Sequence, residues 1–294
     1  MPAEHRCRFP VRYYECDAYG HVNNANYLRY MQEAAFEASA AVGYDAERFA
    51  QMGYAWHIHA TDIEYVQPAR YGDVVEVHTY PIDLRRVSSR RAYALRIERT
   101  GALVARAVSD WAFLDRATER LTAIPAEVAR AFFPEGIPTE PPSRQRFPAA
   151  PPPPKGTYRT CRVVQWREVD PAGHVNNAVY AEWAEEAGLQ CIAHFGWPVT
   201  RLAAQGLGIV YRRMWIEYVR PARLGDTVEI AAWLSEVKRA SAMRHFTMHR
   251  ADDGALLARV NILAVCLDLG KNALTRWPEA LMRDFQPNIS AQST

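Results

Sequence analysis

The sequence predicts an α+β protein written twice: two copies of one domain, each a long helix packed on an antiparallel sheet. Three observations predict it. First, shifting the 294-residue chain by 153 positions lays one half on the other without a gap. Asp17 falls on Asp170, His21 on His174, Tyr27 on Tyr180 and Glu33 on Glu186. Glu64-Tyr65-Val66 falls on Glu217-Tyr218-Val219, and Pro68-Ala69-Arg70 on Pro221-Ala222-Arg223. A repeat this long is a duplicated domain, in keeping with a prior of ~150 residues per domain. Second, Tyr27, Tyr30, Met31, Ala34, Ala38 and Ala41 recur at spacings of three and four, the period of one helix face. Third, several strand-like runs follow that helix in series, a plan that puts the helix on one face of a meander.

Taken in order, the first copy opens with a strand near Arg8–Tyr14, matched by Arg159–Trp166 in the second. A turn and a helix from Asn24 to Val42 follow, with Gly43 as its C-terminal cap. The second helix uses Tyr180, Trp183, Ala184, Ala187 and Cys191 and ends near Phe195-Gly196. Small residues on the buried face imply close approach to the sheet. Strands are expected at Trp56–Val66, Asp73–Leu84 and Ser88–Arg99, with a Thr100-Gly101 turn into a last strand ending near Leu114. Asp252-Asp253-Gly254 is the matching turn, a strong hairpin signal. Between the copies, residues 134–157 hold nine of the chain's 19 prolines. Such a segment favours extended polyproline geometry and acts as a tether. The expected division is therefore 1–133, a linker at 134–157, and 158–294.

Composition excludes several classes. The net charge is +2, which gives no electrostatic footprint for nucleic acid. No apolar run is long enough to span a membrane and the N-terminus lacks a signal-peptide core, so a cytoplasmic location is expected. The five cysteines form no CxxC pair, which points to reduced thiols. No His/Cys cluster has metal-ligand spacing and no Gly-rich phosphate loop follows a strand. Neither a metal nor a cofactor is expected.

The chemistry-bearing stretch is Glu15-Cys16-Asp17-Ala18-Tyr19-Gly20-His21-Val22-Asn23-Asn24, repeated as Glu168-Val169-Asp170-Pro171-Ala172-Gly173-His174-Val175-Asn176-Asn177. A carboxylate and an imidazole four residues apart sit on a turn that feeds a helix N-terminus. That end offers unpaired N–H groups and positive potential where negative charge could develop.

A domain with D-x-x-G-H-V-N-N-x-x-Y leading into its helix, followed by E-Y-V-x-P-A-R-x-G-D, resembles the hotdog-fold acyl thioesterases. It is similar to the 4-hydroxybenzoyl-CoA thioesterase group and to acyl-ACP thioesterases, over both copies and nearly all the chain outside the linker. The resemblance implies two hotdog domains paired as an intramolecular pseudo-dimer. Asp17 and Asp170 would then be the carboxylates that attack the thioester or activate water. Backbone N–H groups at Asn24 and Asn177 would face the developing oxyanion.

His21 and His174 would polarise substrate or hold water, as acyl-ACP-type members carry His there while hydroxybenzoyl-type members carry an aliphatic residue. Glu33 and Glu186, on the helix, stand where some members place an essential carboxylate. Arg70, Arg86, Arg223 and Arg239 are candidate contacts for CoA phosphates, and Ser88 and Ser241 for the thioester end. Each has a plainer reading beside it: a turn-forming Asp, a hydrogen-bonding His, a solvated helix Glu, a surface Arg. Tyr19 and Ala172 depart from the acyl-ACP group, which shows Asn there, and this favours acyl-CoA as substrate over a carrier-protein thioester.

The rival readings are an acyl-ACP thioesterase, a hotdog hydratase and a non-catalytic acyl-CoA-binding protein. The hydratase signatures are absent, and a binding protein needs no carboxylate, imidazole and helix acid in both halves. Further self-association into a homo-oligomer is also expected. The repeat carries its own test: halves expressed separately should be poorly soluble or pair with themselves, seen by gel filtration. A stable, active monomer of the first half would contradict the pairing.

Overall fold

The computed structural model describes residues 2–138, 143 and 146–290. The chain divides into two compact units, Met1–Arg146 and Phe147–Thr294. In the first, β1 (His5–Pro10) leads through a short 3-10 turn at Tyr13–Glu15 to the long helix α1 (Asn24–Ala41) and a short α2 (Ala46–Gln51). Then come β2 (Tyr54–Tyr65), β3 (Val74–Leu84), β4 (Ser88–Ile97), β5 (Leu103–Asp115), the two-residue β6 (Arg120–Leu121) and α3 (Ala126–Phe132). The sheet order is β1-β3-β4-β5-β2, every pair antiparallel, with β6 on β5.

The second unit repeats the plan. It holds β7 (Tyr158–Val163), α4 (Asn177–His194), α5 (Val199–Ala204), β8 (Leu207–Tyr218), β9 (Thr227–Ser235), β10 (Ser241–Arg250), β11 (Leu256–Asp268), β12 (Ala273–Leu274) and α6 (Glu279–Phe285). Its sheet runs β7-β9-β10-β11-β8, also antiparallel. In each unit the long helix lies on the sheet, which is the hotdog arrangement.

The helix sits close because its buried face is small. Ala25 and Ala34 are fully buried, flanked by Tyr27, Leu28, Tyr30 and Met31, and α1 packs on β1 and β3. Strict alternation in β3 puts Val75, Val77 and Thr79 on the buried side, the period-two pattern of a strand with one face covered. Asn23 caps α1 through its side-chain oxygen, which accepts the Ala25 N–H at 2.9 Å, and Asn176 does the same for Ala178 at 3.0 Å.

Two expectations need correction. The first strands end earlier than the expected Tyr14 and Trp166, at Pro10 and Val163. Tyr13, Tyr14 and Trp166 are about four-fifths exposed, because the chain turns there to seat Glu15 and Glu168. The short helices were also missed. Asp45 caps α2 by accepting the Arg48 N–H at 2.8 Å, and Phe49, Phe132 and Phe133 build a second apolar cluster with Phe113.

The proline-rich stretch lies along the second unit over its last ten residues. Asn261 Nδ2 donates to the Pro148 carbonyl at 2.8 Å, Ser290 Oγ to Pro152 at 2.5 Å and Asn288 Nδ2 to Gly156 at 3.1 Å. Gly156 is required there, since a Cβ would collide with the Pro287 carbonyl oxygen.

Beneath Pro148 a buried polar chain joins three strands. His245 Nε2 meets Ser235 Oγ at 2.7 Å and Nδ1 meets Asn261 Oδ1 at 2.7 Å. Burial, the largest influence, lowers the His245 pKa, while the Asn261 bond opposes it. The folded protein thus binds fewer protons here than the unfolded chain. Stability from this site is complete above the unfolded His pKa of ~6.5 and is lost as pH falls through the lower folded value. Thermal melts from pH 7.5 down to pH 5 should show that decline, and His245→Gln should make it shallower. Equal slopes for the two proteins would contradict the assignment.

Candidate active site

Each site begins with a loop whose geometry is set by its own backbone. Asp17 N–H donates to the His21 carbonyl at 2.7 Å and Gly20 N–H to the Asp17 carbonyl at 2.9 Å, closing the turn. Gly20 has φ +73° and Gly173 φ +77°, the left-handed region that glycine adopts without strain. The second loop repeats the pattern, Asp170 N–H to His174 at 2.9 Å and Gly173 N–H to Asp170 at 2.9 Å.

The aspartate side chain points back into its own loop. Asp17 Oδ1 accepts the N–H groups of Tyr19 at 2.9 Å and His21 at 3.1 Å. Asp170 Oδ1 accepts the Ala172 N–H at 2.9 Å. One oxygen of each carboxylate is therefore held by backbone donors. Among the described residues, Asp17 Oδ2 receives no hydrogen bond from the protein. Both aspartates are half-buried.

A second segment is stitched to the loop. Val22 N–H donates to the Ala69 carbonyl at 2.9 Å, and Ala69 N–H donates to the Tyr27 hydroxyl at 3.0 Å. Asp73 Oδ2 accepts the Arg70 N–H at 3.0 Å and fixes the end of that segment. The result sets Arg70, exposed, beside Gly20 and His21. The same stitches join Val175 to Ala222 at 2.9 Å, Ala222 to Tyr180 at 2.9 Å and Arg223 to Asp226 at 3.0 Å. This is why D-x-x-G-H-V-N-N-x-x-Y and P-A-R-x-G-D, forty residues apart in sequence, act as one unit.

Charge around His21 follows from this. Burial first, and the Arg70 guanidinium second, lower its pKa, while Asp17 pulls the other way. Neutral imidazole is the form favoured at neutral pH. Burial also raises the Tyr27 and Tyr180 hydroxyls to about 12, so both remain protonated as they accept the Ala69 and Ala222 amides.

The helix ends meet the loop at Asn24 and Asn177, the first residues of α1 and α4. Their carbonyls accept the hydroxyls of Tyr65 and Tyr218, each at 3.1 Å. Both asparagines are half-buried.

Other expected residues lie elsewhere within their own unit. Glu33 and Glu186 are exposed, nine residues into their helices, about 13 Å along the axis from the loop at ~1.5 Å per residue. Glu186 Oε1 accepts Gln190 Nε2 at 3.1 Å, an ordinary one-turn contact. Arg86 stands on the β3–β4 connection and Ser88 opens β4; Arg239 stands on the counterpart between β9 and β10 and Ser241 opens β10. Along β3 that is roughly 33 Å from the loop at ~3.3 Å per residue. The structure therefore joins Asp17, His21, Asn24 and Arg70, and likewise Asp170, His174, Asn177 and Arg223. It does not bring Glu33, Arg86 or Ser88 to the same unit's loop.

Glu15 and Glu168 were quoted in the repeat without a role, and the structure gives them one. The Glu15 carbonyl accepts the Asn23 N–H at 2.8 Å and Asn26 Nδ2 at 2.9 Å. Its carboxylate accepts the Arg12 N–H at 2.6 Å and the Tyr30 hydroxyl at 2.7 Å. Glu168 holds Asn176 in the same way at 2.9 Å, but its carboxylate is buried and takes Arg162, Gln165 N–H at 2.8 Å and Trp183 Nε1 at 3.1 Å. These acids fix the helix entry.

Comparison with known proteins agrees with the duplication. A family model described as thioesterase-like superfamily matches residues 11–132 and again 164–285. The acyl-[acyl-carrier-protein] hydrolase FATB2 of Cuphea viscosissima is 25% identical over 191 residues, 62% of this chain and 46% of that protein. The acyl-CoA thioester hydrolase YbgC of Escherichia coli is 28% identical over 124 residues, 42% of this chain and 91% of that protein. The chain thus spans about half the length of the plant relative and more than twice the matched length of the bacterial one. Among solved structures, a putative oleoyl thioesterase from Lactobacillus plantarum aligns over 90% of this chain and 97% of its own, with TM-score 0.76 and 21% identity. The 12:0-ACP thioesterase of Umbellularia californica aligns over 90% and 95%, with TM-score 0.73 and 18% identity. These two likenesses carry the fold. Among the described residues no helix is long and apolar enough to cross a membrane.

Proposed function

Because the chain belongs to the thioesterase-like superfamily, we propose that it hydrolyses an acyl-CoA thioester to a free acid and CoA, using two loops of the same design. The observation that carries the reading is the Asp17 carboxylate, held by two backbone N–H groups at the mouth of α1, with Asp170 held by the Ala172 N–H at the mouth of α4. A carboxylate anchored through one oxygen keeps the other for chemistry. That oxygen takes a proton from a water attacking the thioester carbon, or attacks the carbon itself to give an anhydride that water then opens.

Charge developing on the carbonyl oxygen would be met by backbone N–H at Asn24 or Asn177, where the helix end is electropositive. Neutral His21 and its counterpart His174 would hold the water. Arg70 and Arg223, exposed beside the loops, would take anionic groups of the substrate. Collapse of the tetrahedral intermediate expels the thiolate, and no metal or redox cofactor enters the balance.

Acyl-CoA is preferred because Tyr19 and Ala172 occupy the place where acyl-ACP thioesterases show Asn, and because the Escherichia coli relative matched over nearly its full length acts on acyl-CoA by name. The plant relative's acyl-carrier-protein substrate is the competing reading. Thiol release should be followed over short, long and aryl acyl groups, each on CoA and on a carrier protein. Higher kcat/KM on CoA supports the assignment, whereas turnover confined to carrier-protein thioesters reverses it. No turnover of either would leave a binding protein.

A further inference from the structure

At the far end of α1 from the loop, folding gathers three donor groups that are scattered in sequence. His5 and Cys7 stand two residues apart on β1, on the same side of the strand, and Glu37 comes toward them from α1. His5 Nε2 lies 3.4 Å from Glu37 Oε2, and the imidazole, thiol and carboxylate atoms all fall within 4.8 Å of one another. Cys7 is buried, His5 half-buried and Glu37 exposed, so the group has a closed floor and one open side. Burial first, then the Glu37, Glu33 and Glu76 carboxylates, push the Cys7 thiol up to about 12, so a metal ion that binds there must displace its proton.

The second copy supplies an internal comparison. At the same three positions it carries Tyr158, Thr160 and Gln190, with the Tyr158 hydroxyl donating to Gln190 Oε1 at 3.4 Å. The same frame is kept with residues that make hydrogen bonds but are poor metal ligands. Only the first copy replaces all three by imidazole, thiol and carboxylate.

We propose that His5, Cys7 and Glu37 form a zinc(II) site, with water in the fourth position. A thiol with an imidazole selects a borderline-soft ion over magnesium or calcium. Zinc bonds of ~2.0–2.3 Å require the donors to close slightly, which rotation of the exposed Glu37 side chain provides. The ion would tie the edge strand β1 to α1. Glu37 is 13 residues past Asn24, about 20 Å along the helix, so the site is separate from the loop chemistry and does not depend on it.

The test uses full-length protein stripped of metal and titrated with cobalt(II). A thiolate-to-cobalt charge-transfer band should rise and saturate at one equivalent per chain, and zinc should abolish it. Cys7→Ser should remove the band, and Glu37→Gln, at an exposed position that leaves folding intact, should weaken zinc binding by more than the ~10–100-fold seen for losing an outer-sphere partner. Cys16→Ser should leave it unchanged. Absence of the band, or its survival in Cys7→Ser, would overturn the site. Unaltered zinc affinity in Glu37→Gln would remove Glu37 from the ligand set and overturn the three-residue site.

Discussion

Asp17→Asn alone is expected to leave a large part of the turnover, and Asp170→Asn to remove more. The two loops share their stitches, yet Ala18-Tyr19 in the first copy corresponds to Pro171-Ala172 in the second. Tyr19 is half-buried next to Asp17, its hydroxyl raised in pKa by burial and by that carboxylate, whereas Ala172 is exposed and small. Pro171 stiffens the second loop. The small, exposed Ala172 favours easier access at Asp170. Asparagine keeps the shape and the Oδ1 acceptor but cannot take a proton at neutral pH, so each substitution should cost at least ~10²-fold at its own site. Steady-state rates partition the total between the loops. An inert but folded Asp17→Asn would mean that a single site carries the activity.

Glu168→Ala should be among the most damaging substitutions for stability. It would leave Arg162, the Gln165 N–H and the indole N–H of Trp183 without their acceptor in a largely buried setting. Removing one partner of a buried ion pair typically costs ~3 kcal/mol or more, which for a domain of this size lowers the melting midpoint by about 10 °C. The matching Glu15→Ala should cost less, since Glu15 is half-buried and loses only the Tyr30 hydroxyl and the Arg12 N–H. Differential scanning of the two variants checks the ordering, and equal losses would contradict it.

The helix and loop were legible because their determinants are local. Gly20 serves a left-handed turn, Asn23 caps the helix it precedes, and the apolar face repeats at three and four. The first strand was expected to run to Tyr14, but the Glu15 carboxylate, tied to Arg12 and to Tyr30 fifteen residues on, turns the chain and leaves the Tyr13 and Tyr14 rings in solvent. Long-range partners of that kind leave no spacing to read. Glu15 and Glu168 escaped a role for the same reason, although their recurrence at the 153-residue shift was a usable signal. Arg86 and Arg239 were expected to contact CoA phosphates because a guanidinium forks onto such groups. Within a unit, the eleven residues of β3 separate Arg86 from the loop that carries Asp17.

The central claim, that these two aspartates do the chemistry, is tested most directly by thiol release from saturating acyl-CoA with the Asp17→Asn, Asp170→Asn double variant. The protein should keep its wild-type melting profile and still bind the thioester. Its hydrolysis should fall by at least ~10²-fold, to the level of the uncatalysed control or close to it. A folded double variant that turned over at the wild-type rate would contradict the assignment and move the chemistry to other residues.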